Sequence, residues 1–259
     1  MRKKKRILTV LTVFFVLLFC VSGFLLIKET TERQTDQNHF DDLNRIAYMN
    51  TSGSVQENAY LVEEGESVDV TEEVVHERNI SLLIEENEDC IGWIYIDGTR
   101  VNYPVMHTPS DPEKYLRRNF YGEYSVSGVP FMDGDSRLSD MHIIIYGHNM
   151  RNDTMFGDVV EYVDPAYRDA HPMVEFETET GCTTYEIFAV AVVDATDDWY
   201  FTNPADQPEN YAEKIDYIQS IALYETGIVP EYGEKLLTLS TCYGSDDDTR
   251  LIVVAVERN

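Results

Sequence analysis

The sequence predicts a mainly β domain, a barrel or a sandwich, carried behind an apolar N-terminal segment. Three observations predict it. From Ile91 onward, six short segments with strand patterning succeed one another, separated by turn signals such as Asp97-Gly98. Helical spacing recurs only in scattered pieces, which argues against an alternating, doubly wound α/β sheet. The 259 residues are 43% hydrophobic and include 17 Tyr and 11 Phe, enough for one substantial domain plus an appendage and incompatible with a mostly disordered chain.

Ile7 to Ile27 is a run of 21 uncharged residues, interrupted only by Thr9, Thr12, Ser22 and Gly23. At ~1.5 Å per residue such a helix is about 30 Å long, the thickness of a bilayer's hydrocarbon core. Residues 1–6, with Arg2, Lys3, Lys4, Lys5 and Arg6, are expected to stay cytoplasmic, which puts everything after the segment outside. The run exceeds the ~7–15 residues of a signal-peptide core, although Val21 and Gly23 keep a cleaved signal peptide as the alternative. Lipoprotein-type processing at Cys20 is not expected, because bulky Phe19 precedes it. The first 28 residues hold six of the 20 bases and no acid, leaving 14 bases against all 47 acids, a net of −33 within a whole-chain charge of −27. A body that acidic repels phosphate backbones, which excludes nucleic acid as the natural partner.

Residues 28–70 read as an extracellular spacer, polar and poorly periodic, with one helical piece around Phe40–Met49. The domain proper is expected over 71–259. Val74, Val75, Ile80, Leu83 and Ile84 recur at helical spacing between Thr71 and Glu88. Strands are expected over Ile91–Ile96 and Val101–Met106, joined as a hairpin through Asp97-Gly98, with Pro104 marking an edge or bulged strand. Further strands are expected over His142–Tyr146, Thr183–Val193, Lys235–Thr241 and Arg250–Val256. Pro208–Tyr224 is expected to be a helix with Tyr211, Ile215, Ile218 and Leu223 as its apolar stripe.

Cys90, Cys182 and Cys242 are widely separated and odd in number. One pair could form a bridge, but at least one thiol must then stay free, and no zinc or disulfide framework is indicated. Cys242 closes a strand, His148 lies two residues past another, and Arg250 opens a third. A free thiol titrates near ~8.5 and an imidazole near ~6.5, so a thiol that attacks a carbonyl needs a neighbouring cation. A guanidinium, always charged and fork-shaped, suits a developing oxyanion. The bland alternatives stay open on spacing alone. A strand-end Cys is commonly a small buried hydrophobe, Arg250 could be a surface base, and His39, His76, His107, His142 and His171 are further imidazoles. Asp246-Asp247-Asp248 reads as a solvated loop rather than a calcium site, whose ligands are spaced by two, and one of these acids is a candidate to orient Arg250. No cofactor motif is present in the sequence.

Tyr146-Gly147-His148-Asn149-Met150, Thr154-Met155-Phe156, Thr238-Leu239-Ser240-Thr241-Cys242 and Arg250-Leu251-Ile252-Val253-Val254 together resemble the signature of a sortase. Gly92-Trp93-Ile94, Asn102-Tyr103-Pro104-Val105 and Phe131-Met132-Asp133 are similar to the class B branch, as is a long helix between two late strands. The match runs as scattered blocks over roughly residues 74–257. It implies a closed eight-stranded β-barrel with an N-terminal helix and an inserted helix. It further implies a cysteine transpeptidase tethered as a single-pass protein outside a Gram-positive-type membrane, with no cofactor. Under the resemblance Cys242 is the nucleophile, His148 the proton carrier and Arg250 the oxyanion partner. Asn102, Met106, Ser240 and Tyr243 would line the sorting-peptide groove, with Tyr200 and Phe201 forming one wall. Loop aromatics, a turn-capping Asn102 and a variable position at Tyr243 are the plain alternatives for those residues.

The implied reaction cleaves a C-terminal sorting motif of surface proteins after Thr through a Cys242 thioester. An amine of peptidoglycan or its precursor then resolves the thioester. A pilin-polymerising transpeptidase and a cysteine peptidase hydrolysing the same motif are the competing enzymes; an anchored non-catalytic surface module is the competing non-enzyme. At reference values most thiol is protonated and most imidazole neutral near pH 7, so slow turnover is expected of an unshifted pair.

Overall fold

The computed structural model describes residue 12 and residues 14–24, 30–31, 40–48, 78–201, 207–245 and 248–258. The chain divides into two compact units, Met1–Asp41 and Asp42–Asn259. In the first, residues 12 and 14–24 are helical, and Phe14, Phe15, Leu17, Leu18 and Phe19 are exposed. The rest of the expected span 7–27 lies outside the described residues. Among the described residues no helix is long and apolar enough to cross a membrane.

In the second unit eight strands close into a barrel in the order β1-β2-β3-β4-β7-β8-β6-β5. They are β1 (Cys90–Tyr95), β2 (Asn102–Met106), β3 (Phe131–Met132), β4 (His142–Tyr146), β5 (Met173–Thr178), β6 (Gly181–Asp194), β7 (Leu236–Cys242) and β8 (Thr249–Arg258). The β1–β2 hairpin turns at Asp97-Gly98 as expected, with Gly98 at φ +73°, a conformation that its missing Cβ allows. β3 meets β2 only through Met106 and Phe131, so Pro104, which lacks an N–H, faces a single ladder neighbour, Trp93.

Two strands depart from the sequence patterning. β3 has two residues, too short for any period to register. β5 carries Glu175 and Glu177, and Glu177 is 3% exposed, so a buried acid breaks the apolar alternation. The N-terminal helix α1 covers Ile80–Glu86 and buries Ile80 and Leu83. It starts later than expected because Arg78 and Asn79 stay outside the helix; residues 71–77 lie outside the described residues. A second helix, α2, covers Pro165–Ala170, capped by Asp164, whose carboxylate accepts from the Ala166 N–H.

Arg78 explains why Glu177 is tolerated inside. Its guanidinium pairs with Glu177 at 3.1 Å, and its backbone N–H also donates to that carboxylate. The same guanidinium donates to Asn44 Oδ1 and Asn102 Oδ1, each at 3.1 Å, and lies 5.1 Å from the centroids of the Tyr48 and Trp93 rings. Burial raises the Glu177 carboxyl above its usual value, and Arg78 works against that rise. This cluster joins residues 44–48 and 78 to β1, β2 and β5.

Between β6 and β7 the chain has 41 residues, of which 195–201 and 207–235 are described. The helix α3 (Pro208–Ile221) in this stretch buries Tyr211, Lys214, Ile215 and Ile218. Leu223, expected on that stripe, lies beyond the helix end and is 46% exposed. Together with Trp199, the α3 residues Tyr211, Ile215 and Ile218 pack on Ala189 and Ala191 of β6, Leu236 of β7 and Ile252, Val254 and Val256 of β8.

Replacing Glu177 with Ala leaves a buried guanidinium unpaired. A loss of about 3–5 kcal/mol of unfolding free energy is expected, read as a lower urea midpoint at unchanged slope. Arg78→Met combined with Glu177→Leu should lose less than Glu177→Ala alone, because both charges leave together.

Candidate active site

The site follows from strand alternation. Along β7, Leu236, Thr238, Ser240 and Cys242 share one face, and all but Cys242 are buried. β8 runs antiparallel to β7 with Cys242 opposite Arg250. Residues directly opposite in such a pair have Cβ atoms about 5 Å apart on one face of the sheet. Arg250 therefore stands beside the thiol by register. Its charge is felt at Tyr146 and Tyr200, whose hydroxyls it draws downward against the larger upward effect of burial. No disulfide joins the four cysteines; Cys90 is buried and its thiol is pushed up to about 12 by burial, whereas Cys242 is exposed.

His148 reaches the same place from β4, which runs parallel to β7 with Tyr146 opposite Ser240. Three bonds lock the exit of β4 to the end of β7. The Gly147 N–H donates to Ser240 O at 3.1 Å, Thr241 Oγ1 to Gly147 O at 2.7 Å, and Asn149 Nδ2 to Cys242 O at 3.1 Å. A glycine is required at 147, since a Cβ there would stand 2.6 Å from the Phe156 ring. The ring of His148 is oriented in turn: Nε2 lies 2.8 Å from Leu116 O. A carbonyl only accepts, so Nε2 carries the hydrogen and Nδ1 is the nitrogen left for chemistry. Leu116 sits in the 3-10 turn Lys114–Arg117, fixed because Lys114 Nζ and Tyr115 Oη both meet Asp89 Oδ2. Burial pushes the His148 imidazole below its ordinary value; the Leu116 carbonyl opposes this and the Arg117 guanidinium adds to it.

Cys242, His148 and Arg250 open on one cavity of about 550 Å³, which Ser240, Tyr200 and Phe201 also line. Tyr200 Oη lies 2.9 Å from Ser240 Oγ, and its ring stacks on Tyr146 with centroids 6.2 Å apart. Phe201 is 72% exposed at the mouth. The cavity runs along β4 past Ile144 to His142. There Thr238 Oγ1 accepts from Trp199 Nε1 at 3.1 Å and lies 2.8 Å from His142 Nε2. Burial, helped by the Lys214 charge, drives His142 well below its ordinary value, which favours the neutral ring.

Asn102, Met106 and Tyr243 are not among the described residues that line the cavity. The Asn102 carbonyl accepts from Trp93 Nε1 at 2.7 Å and from Arg78, so it serves the buried ion-pair cluster. Met106 is fully buried in the ladder against Phe131, and it is Phe131 that faces the cavity. Tyr243 opens the β7–β8 loop, its N–H donating to Thr249 O. Of the three acids expected to supply a partner for Arg250, Asp246 and Asp247 lie outside the described residues, and Asp248 accepts from the Ala195 N–H through its backbone carbonyl at 2.7 Å. Sequence reasoning missed the Leu116 carbonyl, which has no side-chain signal, and Asn149, whose position next to His148 was one.

A Sortase domain family model matches residues 94–258. The chain is 30% identical to the sortase B of Listeria monocytogenes over 90% of this chain and 88% of that protein. It is 24% identical to the sortase B of Staphylococcus aureus over 98% and 97%. Among solved structures, Clostridium perfringens sortase B superposes with a TM-score of 0.65 at 33% identity, covering 69% of this chain and 99% of that one. A Staphylococcus aureus sortase B–substrate complex gives 0.65 at 26%, covering 70% and 84%.

The lowered imidazoles set an expectation for pH. In an NMR titration the His148 ring protons should move with a midpoint below the ordinary ~6.5, so that fewer than about one ring in ten is imidazolium at pH 7.5. Because the fold disfavours protonation of both His142 and His148, stability should be lost as pH falls through 6.5 and below. His142→Gln should flatten that loss in thermal melts between pH 7 and pH 5.

Proposed function

Since the chain belongs to the sortase family of cysteine transpeptidases, we propose that Cys242, His148 and Arg250 carry out its acyl transfer. On this reading a C-terminal sorting motif is cleaved after Thr, and surface proteins are joined to an amine of peptidoglycan or its precursor. The observation that carries the reading is the Cys242–Arg250 cross-strand pair, with His148 opening on the same cavity.

The thiolate of Cys242 attacks the Thr carbonyl carbon, and the carbonyl oxygen becomes an oxyanion held by the Arg250 guanidinium. His148, as imidazolium, keeps its Nε2–H on Leu116 and passes the Nδ1 proton to the leaving nitrogen, so the C–N bond breaks to a free amine and a Cys242 thioester. An incoming amine attacks the thioester, its proton moves to Nδ1, and the sulfur leaves as thiolate. One amide is lost and one formed. The low basicity of the buried His148 makes the imidazolium scarce at neutral pH, from which slow turnover is expected.

The proposed substrate bed is the cavity floor formed by Ser240, Tyr146 and Ile144, with Tyr200 and Phe201 as its wall. What supports a membrane address is the sequence: an uncharged run of 21 residues behind five bases, with the acidic body following. The protein on this reading is single-pass, its N-terminus cytoplasmic and its catalytic domain extracellular.

Incubating the full chain in detergent with peptides bearing Asn-Pro-x-Thr-Asn-like and Pro-x-Thr-Gly-like motifs should give a thioester on Cys242 by mass spectrometry. Cys242→Ala should give none. Added amine should raise ligated product at the expense of hydrolysis; indifference to amine would favour a peptidase. Arg250→Ala should lower kcat/KM by about 10²–10³-fold while leaving the melting temperature nearly unchanged.

A further inference from the structure

α3 never reaches the cavity: none of its residues is among those that line it. Yet it holds a buried lysine, Lys214, at 6% exposure, where the rest of its buried face is apolar or aromatic. Lys214 Nζ donates to Trp199 O at 2.8 Å and stands 4.5 Å from the centroid of the Trp199 indole. One turn further along α3, Tyr217 Oη donates to Asp197 Oδ2 at 2.7 Å. The other oxygen of Asp197 accepts from the Trp199 N–H at 2.8 Å and so caps the 3-10 turn Asp198–Tyr200. Two side chains three residues apart on one helix therefore grip both ends of a single turn. That turn carries Tyr200, whose hydroxyl meets Ser240 in the cavity two residues before Cys242.

A burial that costs this much calls for a reason. Burial pushes the Lys214 ammonium down to about 7, with Asp197 only partly opposing it. A leucine or methionine would fill the space but would leave the buried Trp199 carbonyl without its donor. The ammonium answers the carbonyl and the indole face together. The indole N–H is then aimed at Thr238, and the next residue at Ser240.

We propose that Lys214, with Tyr217, is a positioning residue for substrate selection: it holds the Trp199–Tyr200 turn so that Tyr200 forms the wall of the peptide groove. It acts through Tyr200 and not on the sulfur. This inference rests on the sortase reading and extends it to the helix behind the groove.

The test is steady-state kinetics of the full chain with a sorting-motif peptide that the wild type turns over. Lys214→Met should raise KM about threefold to tenfold, the equivalent of one well-placed hydrogen bond, with kcat within twofold. Lys214→Arg, which keeps a cationic donor, should restore most of the affinity. The rate at which iodoacetamide alkylates Cys242 should not change. In a Tyr200→Ala background the Lys214→Met effect on KM should vanish, because the two act as one unit. Tyr217→Phe, a milder change at a partly exposed residue, should raise KM about twofold to threefold and keeps the inference testable should Lys214→Met fail to fold. An unchanged KM in folded Lys214→Met or in Tyr217→Phe would overturn the inference. So would equal and additive losses with and without Tyr200, which would mean a merely structural lysine. Absence of any turnover or thioester in the wild type would instead overturn the sortase reading of the site.

Discussion

The register between β7 and β8 is the constraint from which the site follows. With Leu236 opposite Val256, each step along β7 brings a residue opposite a partner on β8, and the last step sets Cys242 opposite Arg250. A slip of one residue would turn every side chain of β7 to the other face, moving the thiol off the cavity and Ser240 away from Tyr200. The slip is opposed by the core: Leu236, Ile252, Val254 and Val256 are buried under α3 and Trp199. The hydrophobic packing of one sheet face and the placement of Cys242 opposite Arg250 are thus a single geometric fact.

His148 is held by a different means. Its loop leaves the sheet and cannot rely on register, so it relies on the three bonds that tie Gly147, Thr241 and Asn149 across the β4–β7 seam and on the Leu116 carbonyl behind the ring. A backbone carbonyl takes the orienting role that a carboxylate fills in a Ser-His-Asp triad. It fixes the tautomer without adding a negative charge to stabilise the imidazolium. Burial then prevails, and the imidazole is less basic than a free one.

Much of this was legible in the sequence, and the limits are physical. Cys242, His148 and Arg250 stood out because each lies at or just past the end of a patterned strand, where chemistry-bearing side chains are delivered to one rim. The hairpin at Asp97-Gly98, the long strands β6 to β8 and the inserted helix all announced themselves by turn chemistry and period. β5 did not, because Glu177 is inside, and its partner Arg78 lies 99 residues away in the chain. Asn102 could not be assigned for the same reason: its acceptor is taken by Trp93 and Arg78, a fact of tertiary contact. Lys214 carried no signal, since nothing local marks a lysine as buried.

The most direct measurement is a crystal structure of the protein with a sorting-peptide mimic disulfide-linked to the Cys242 sulfur. The account predicts the peptide backbone lying in the cavity between Ser240 and Tyr200. The oxygen that mimics the scissile carbonyl should lie within about 3 Å of an Arg250 guanidinium nitrogen, with His148 Nδ1 turned toward the leaving side. A peptide lying outside that cavity, or an Arg250 turned away from the carbonyl with His148 turned off its Leu116 contact, would contradict it.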